Sequence, residues 1–188
     1  MKQLLNYIHN ALQKNTTRPF LIAIDGMCGS GKTTLADFLA KELDASLFHM
    51  DDFFLQPHQR TAERLAEPGG NVDYERFKEE VLEHVADTDG ITFRPFSCSE
   101  WQLAAPVTIP YNDIVIVEGS YSHHPYFKDM YHIKIFLEIS PSEQKKRILS
   151  RDGDAIWPIF ETKWIPMENL YFDTFKIKEN SHFITKLS

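Results

Sequence analysis

The chain has 188 residues, 43% hydrophobic and 25% charged, with a formal net charge of −7. That length specifies one domain with an apolar core, residues 1–188, and an acidic surplus without any Lys/Arg block argues against a nucleic-acid partner. Two cysteines, Cys28 and Cys98, are too few for a disulfide framework, and no apolar stretch reads as a membrane span or signal peptide. The expected setting is the cytoplasm, with no membrane partner.

Leu4, Leu5, Ile8 and Leu12 recur at helical spacing and predict a helix over 2–14. Phe20–Ile24 is a continuous apolar run, as a buried parallel strand requires. Gly26-Met27-Cys28-Gly29-Ser30-Gly31-Lys32-Thr33 then fits G-x-x-x-x-G-K-[ST], and Leu35, Ala36, Phe38 and Leu39 continue with helical spacing. Strand, glycine-rich loop and helix together make a phosphate-binding loop, with Gly26 to Thr33 and Thr34 as the expected nucleotide contacts. Its N–H groups and the helix N-terminus attract phosphate. Lys32 is expected on the β- and γ-phosphates and the Thr33 hydroxyl on Mg²⁺. Cys28 has no general base assigned beside it and is not expected to be a nucleophile.

Ala45–His49 reads as a second strand, expected beside the first, with Asp51-Asp52-Phe53-Phe54 at its carboxyl end, where open α/β sheets bind ligands. If the chain is extended there, Asp51 and Asp52 point to opposite sides and only one faces an acceptor. Residues 55–72 look like loop. Asp73 is a candidate N-cap for a helix over Tyr74–Val85. Ile91–Phe96 and Val107–Ile109 suggest a pair of short strands. Ile114–Val117 followed by Glu118 has the form of a strand ending in a magnesium-side carboxylate. His123-His124 is read as part of a polar loop rather than a metal pair. Ile133–Leu137 is another strand, and Pro141 opens a helix to about Arg151 with Arg147 and Arg151 on one face. In a phosphate-transferring enzyme that face closes over the triphosphate as a lid, about residues 145–165. Trp157, Phe160 and Trp164 read as packing. Glu168–Phe172 reads as ordinary chain, and Phe183-Ile184 as the last strand.

Strands alternating with helices give an α/β class, a three-layer P-loop NTPase fold with a mostly parallel central sheet plus a lid helix. The ordered segments MDDFF (50–54), NVDYERF (71–77), VEG (117–119) and KKRILSRD (145–152) resemble the uridine kinase and phosphoribulokinase family, and MDDFF is similar to the nicotinamide riboside kinase branch. The resemblance covers most of residues 20–152, with an acceptor-binding insertion at about 53–110. It implies Asp51 as the catalytic base, Asp73 on ribose hydroxyls, Glu118 with Thr33 on the magnesium side, Arg147 and Arg151 as lid arginines, and Phe96 in the base pocket. Asp52 is carried as a second acceptor-side carboxylate.

The leading expectation is therefore a phosphotransferase using ATP or another nucleoside triphosphate with Mg²⁺, acting on the hydroxyl of a nucleoside-like small molecule. Its rivals are a kinase for another small alcohol, such as a sugar, sugar phosphate or pantothenate-like compound, and a non-catalytic nucleotide-binding regulator. Whether copies associate as a homo-oligomer stays open.

Overall fold

A computed structural model describes residues 1–186. Helix α1 (Lys2–Lys14) leads to β1 (Phe20–Gly26), which is buried along its whole length. The glycine-rich turn opens α2 (Lys32–Leu43), followed by β2 (Ser46–His49). Short helices α3 (Ala62–Ala66) and α4 (Tyr74–Glu80) come next. Strands β3 (Ile91–Phe93), β4 (Phe96–Ser97), β5 (Gln102–Leu103) and β6 (Val107–Ile109) form nested antiparallel pairs, β3 with β6 and β4 with β5. Then follow β7 (Ile114–Glu118), β8 (Ile133–Leu137), α5 (Pro141–Asp152), α6 (Trp157–Ile159), α7 (Ile165–Phe175) and β9 (Phe183–Thr185).

Five of the strands form a parallel sheet in the order β2-β7-β1-β8-β9. Side chains alternate across it, as the two-residue period of a strand dictates. Ile22, Ile24, Ile116 and Ile133 pack against Ile8 of α1 and Leu35 and Leu39 of α2. Leu21, Ala23, Val115 and Val117 pack against Phe53, Phe77, Phe127 and Tyr171 on the opposite face. Two covered faces around one sheet give the expected three-layer α/β architecture, whose strands must be apolar on both sides.

Strand β2 is not beside β1, as the sequence suggested; β7 lies between them. The strands' own residues explain the placement. β7 carries the aliphatic run Ile114–Val117, fit for a central strand, whereas β2 alternates buried and half-buried residues along Ser-Leu-Phe-His, fit for an edge. The consequence for function is direct, because Glu118 now stands between the phosphate loop and Asp51.

Other expectations are refined by packing. Residues 55–72 are not plain loop: they contain a 3₁₀ turn at Pro57–Gln59 and helix α3, capped by the Thr61 side chain. Helix α4 stops at Glu80 rather than Val85, and a 3₁₀ turn follows, because the adjacent Val81 and Leu82 both enter the core. Asp51 and Asp52 lie in a 3₁₀ turn, Met50–Phe53, so the alternation expected of an extended chain does not apply. His123 and His124 are buried rather than solvated, and the His124 ring stacks on Tyr74 with centroids 4.1 Å apart. Burial pushes both imidazoles down, His123 to about 3 and His124 to about 4. Glu168–Phe172 sits inside α7, where Glu168 and Tyr171 are buried while Asn169 and Leu170 face solvent.

Candidate active site

The carboxyl ends of β1, β7 and β2 converge: Glu118 is in register with Ile24 on one side and His49 on the other. A cavity of about 900 Å³ opens over this edge. Open α/β sheets bind ligands there because loops, not side chains of the core, reach the strand ends.

The phosphate loop forms one wall. Gly26 has φ +144°, and a Cβ there would come 2.2 Å from the Leu137 carbonyl oxygen, so only glycine lets β1 turn this closely past β8. Helix α2 starts without a side-chain cap, which leaves its first N–H groups for an anion. Lys32 Nζ arches over the loop, donating to Gly26 O at 2.7 Å and Met27 O at 3.2 Å. Of the expected nucleotide contacts, Cys28, Gly29, Gly31, Lys32, Thr33 and Thr34 line the cavity, and Gly26, Met27 and Ser30 do not. The Cys28 thiol is pushed up by burial and by the Glu168 carboxylate, against nucleophilic use.

Glu118 is 5% exposed, yet it meets the cavity. The Thr33 hydroxyl donates to its Oε1 at 3.3 Å, and His49 Nδ1 lies 2.6 Å from the same oxygen. That hydrogen bond is the main reason His49 is held above the ordinary histidine value. A hydroxyl and a carboxylate oxygen side by side are a hard-oxygen donor set that fits Mg²⁺, which completes its shell with water and phosphate. Glu118→Gln is therefore expected to raise the Mg²⁺ concentration for half-maximal activity roughly tenfold or more. The check is a Mg²⁺ titration at saturating nucleotide; an unchanged midpoint returns Glu118 to a structural role.

The three aspartates separate. Asp51 lines the cavity; its surface opens to that space while protein surrounds it. Burial raises its carboxyl above the ordinary aspartate value, Lys32 pulls it back, and Glu118 and Glu168 push it further up. Asp52 does not line the cavity; it lies near His49 and Arg76. Asp73 also stays out of the cavity. Its carboxylate accepts the Arg76 N–H at 3.1 Å as N-cap of α4 and the Gln59 side-chain amide at 2.8 Å, with Arg76 Nε 3.5 Å away. Asp73, expected on ribose hydroxyls, is 3% exposed and its oxygens are hydrogen-bonded within the protein. Asp73→Ala should cost about 1–2 kcal/mol of stability, the scale of a lost helix cap, without altering acceptor preference. Urea unfolding beside acceptor kinetics checks both halves.

Helix α5 presents Arg147 and Arg151 to the cavity, as their four-residue spacing predicts. Arg147 donates to the Ser30 carbonyl at 3.4 Å and to Glu143, which ties α5 to the phosphate loop. Arg151 pairs with Asp152 at 2.8 Å. Phe96, expected in a base pocket, lines the cavity. Phe160 and Trp164, read from sequence as packing, line it too, from a π-helical turn at Phe160–Trp164.

Sequence reasoning missed Glu168. From α7, 140 positions along the chain, it accepts the Cys28 N–H at 2.9 Å and the Ser120 hydroxyl at 2.6 Å. It also missed Asp25, fully buried at the end of β1, which accepts from the N–H groups of Gly26, Tyr121 and His123 and from the Tyr171 hydroxyl. Burial raises its carboxyl, and those donors oppose the rise. Both carboxylates fasten α7 to the loop that precedes α2. No local pattern marks them, because their partners lie far along the chain.

A shikimate kinase family model matches residues 28–94, roughly a third of the chain. No curated protein sequence matches. Among solved structures the chain is similar to a possible uridine kinase from Bacillus stearothermophilus, with TM-score 0.71 and 17% identity over 99% of this chain and 100% of that one. It is also similar to a D-glycerate 3-kinase from Cryptococcus neoformans, with TM-score 0.69 and 16% identity over 98% of this chain and 92% of that one. The chain shares the P-loop α/β fold of these structures, and its phosphate loop fits the G-x-x-x-x-G-K-[ST] pattern.

Proposed function

We propose that the chain transfers the γ-phosphoryl group of ATP to the hydroxyl of a small-molecule acceptor. The observation that carries this reading is that one cavity gathers the phosphate loop with Lys32, the Thr33–Glu118 pair, the Asp51 carboxylate and the α5 arginines. Phosphoryl transfer asks for a phosphate cradle, a metal-side oxygen set, a base at the acceptor and cations for the transferring group. Asp51 takes the acceptor's hydroxyl proton as that oxygen forms its bond to the γ-phosphorus. The bond from the γ-phosphorus to the β–γ bridging oxygen breaks, and ADP leaves. Lys32 and the α5 arginines neutralise charge on the equatorial oxygens, and Thr33 with Glu118 would hold Mg²⁺, which would supply further positive charge to the phosphates. Residues 145–165 act in this scheme as the lid and 53–110 as the acceptor-binding insertion. The cytoplasm, where ATP is abundant, is the implied compartment.

A nucleoside acceptor draws support from the aromatic side chains Phe54, Phe96 and Trp101 on the cavity wall. Asp73, which a ribose would need, is hydrogen-bonded within the protein, and that favours another small alcohol as acceptor. The test incubates the protein with ATP, Mg²⁺ and a panel of nucleosides, sugars, sugar phosphates and hydroxy acids, and reads by mass spectrometry a gain of one phosphoryl group. Slow ATP turnover with no phosphorylated compound would instead favour a nucleotide-binding regulator.

A further inference from the structure

Arg60 enters the cavity from just past the Pro57–Gln59 turn. Its guanidinium lies 5.3 Å from the centroid of the Trp101 ring. Among the described residues it has no carboxylate within ion-pair distance and no side-chain hydrogen bond. The other cavity arginines differ: Arg147 pairs with Glu143 and Arg151 with Asp152. Trp101 is 54% exposed at the tip of the β4–β5 hairpin and is held at φ +55°, a conformation unusual for a bulky residue. Phe96 packs edge-on against it at 6.3 Å and lines the cavity.

This cluster lies on the acceptor side. Burial raises the Cys98 thiol of the same hairpin, with Asp51 adding to the rise and Arg60 opposing it, so both charges are near that thiol. In the proposed transfer the donor's phosphates fall to other cations that line the cavity, Lys32 of the phosphate loop and the arginines of α5. Arg60 is a surplus cation facing the space beside Asp51. A guanidinium held over an indole face is attracted to the ring and keeps N–H donors to bind a carboxylate or phosphate with two parallel hydrogen bonds.

We propose that Arg60, held over the Trp101 ring, anchors an anionic group of the acceptor, so that the compound phosphorylated is a hydroxy compound carrying a carboxylate or a phosphate ester. The inference rests on the phosphotransferase reading and names its substrate class. The anion sets orientation: with its charged end on Arg60, the acceptor presents a hydroxyl to Asp51. A neutral nucleoside leaves the guanidinium without a partner.

The test uses matched pairs of acceptors: glycerate with glycerol for the carboxylate arm, ribose 5-phosphate with ribose for the phosphate arm, and uridine as the neutral nucleoside. The anionic member of at least one pair should be phosphorylated in clear preference to its neutral partner. Arg60→Gln should raise KM for that anionic acceptor roughly ten- to a hundred-fold, the scale of one lost charge-assisted pair, with kcat and the KM for ATP little changed. Arg60→Lys should recover part of the loss, since it keeps the charge and loses the fork. Both variants should melt with the wild type, because the Arg60 guanidinium lies over an exposed ring at the cavity rather than in the core.

A second readout needs no turnover. With Mg-ADP bound, the anionic probes at millimolar concentration should change the Trp101 emission, taken as the difference between wild type and Trp101→Phe, and Arg60→Gln should lose that change. Anion binding without any phosphorylated product would keep the anion site and end the kinase reading. Turnover of neutral acceptors alone would keep the kinase reading and overturn the anion site. A loss in Arg60→Gln that falls equally on every acceptor, or on the KM for ATP, would overturn it as well, assigning Arg60 to the transferring phosphoryl. So would the absence of any anion effect on emission together with no anionic acceptor.

Discussion

Replacing Lys32 with Ala is expected to lower phosphoryl transfer by roughly 10²–10³-fold or more, the scale of losing one fixed charge-stabilising donor. The ammonium sits in a partly enclosed cavity, where a cation aimed at developing phosphate charge acts more strongly than in water. Its recorded partners are the carbonyls of Gly26 and Met27, at the part-buried mouth of the loop. The loop's shape depends on Gly26 against Leu137 and on Glu168 against the Cys28 N–H, neither of which involves Lys32. The variant should thus keep its circular dichroism and melting temperature while losing kcat/KM. Full activity in a folded Lys32→Ala protein would sink the phosphate-loop chemistry.

Asp51→Asn should cost roughly 10²–10⁴-fold in kcat, the usual range for a positioned base, with ATP affinity retained. Asn keeps the shape and gives up the proton acceptor. Asp52→Asn should cost far less, because Asp52 lies outside the cavity. The pH profile supplies an independent sign. Burial raises the Asp51 carboxyl above the ordinary aspartate value, so in the wild type the ionised base appears only at a higher pH than for a free aspartate. Activity should rise with pH through that raised value, and the rise should vanish in Asp51→Asn. Single-turnover rates across pH for both variants check this; a larger loss at Asp52 would mean the wrong carboxylate was chosen.

The parts legible in the sequence are those whose signal is local. The apolar run at Phe20–Ile24, the glycine-rich turn and the following helical spacing specify β1, the loop and α2 within a single stretch. Ile114–Val117 announces a central strand by being apolar at every position. Pro141 marks the start of α5, and the spacing of Arg147 and Arg151 puts both on the cavity side. Strand order was not legible: a parallel sheet joins strands through helices, and the chain carries no mark that β7 inserts between β1 and β2. Asp73 was legible as an N-cap, and its other partners were not. An aspartate before a helix can cap it or face a ligand, and the residues that decide, Gln59 and Arg76, act through tertiary packing. Asp25, Glu168 and Arg60 escaped because each has meaning only beside a distant partner: Tyr171, Cys28 and Trp101.

The central claim is that the γ-phosphoryl of ATP ends on a small-molecule hydroxyl. Its most direct test is ATP labelled with ¹⁸O in the γ-phosphoryl group, incubated with Mg²⁺, the protein and the mixed acceptor panel, with the fate of the label read by mass spectrometry. The account predicts the labelled phosphoryl on an organic acceptor, in amounts equal to the ADP formed, and its disappearance from that product in Lys32→Ala and Asp51→Asn. Label found in inorganic phosphate alone, with every acceptor unchanged, would contradict it.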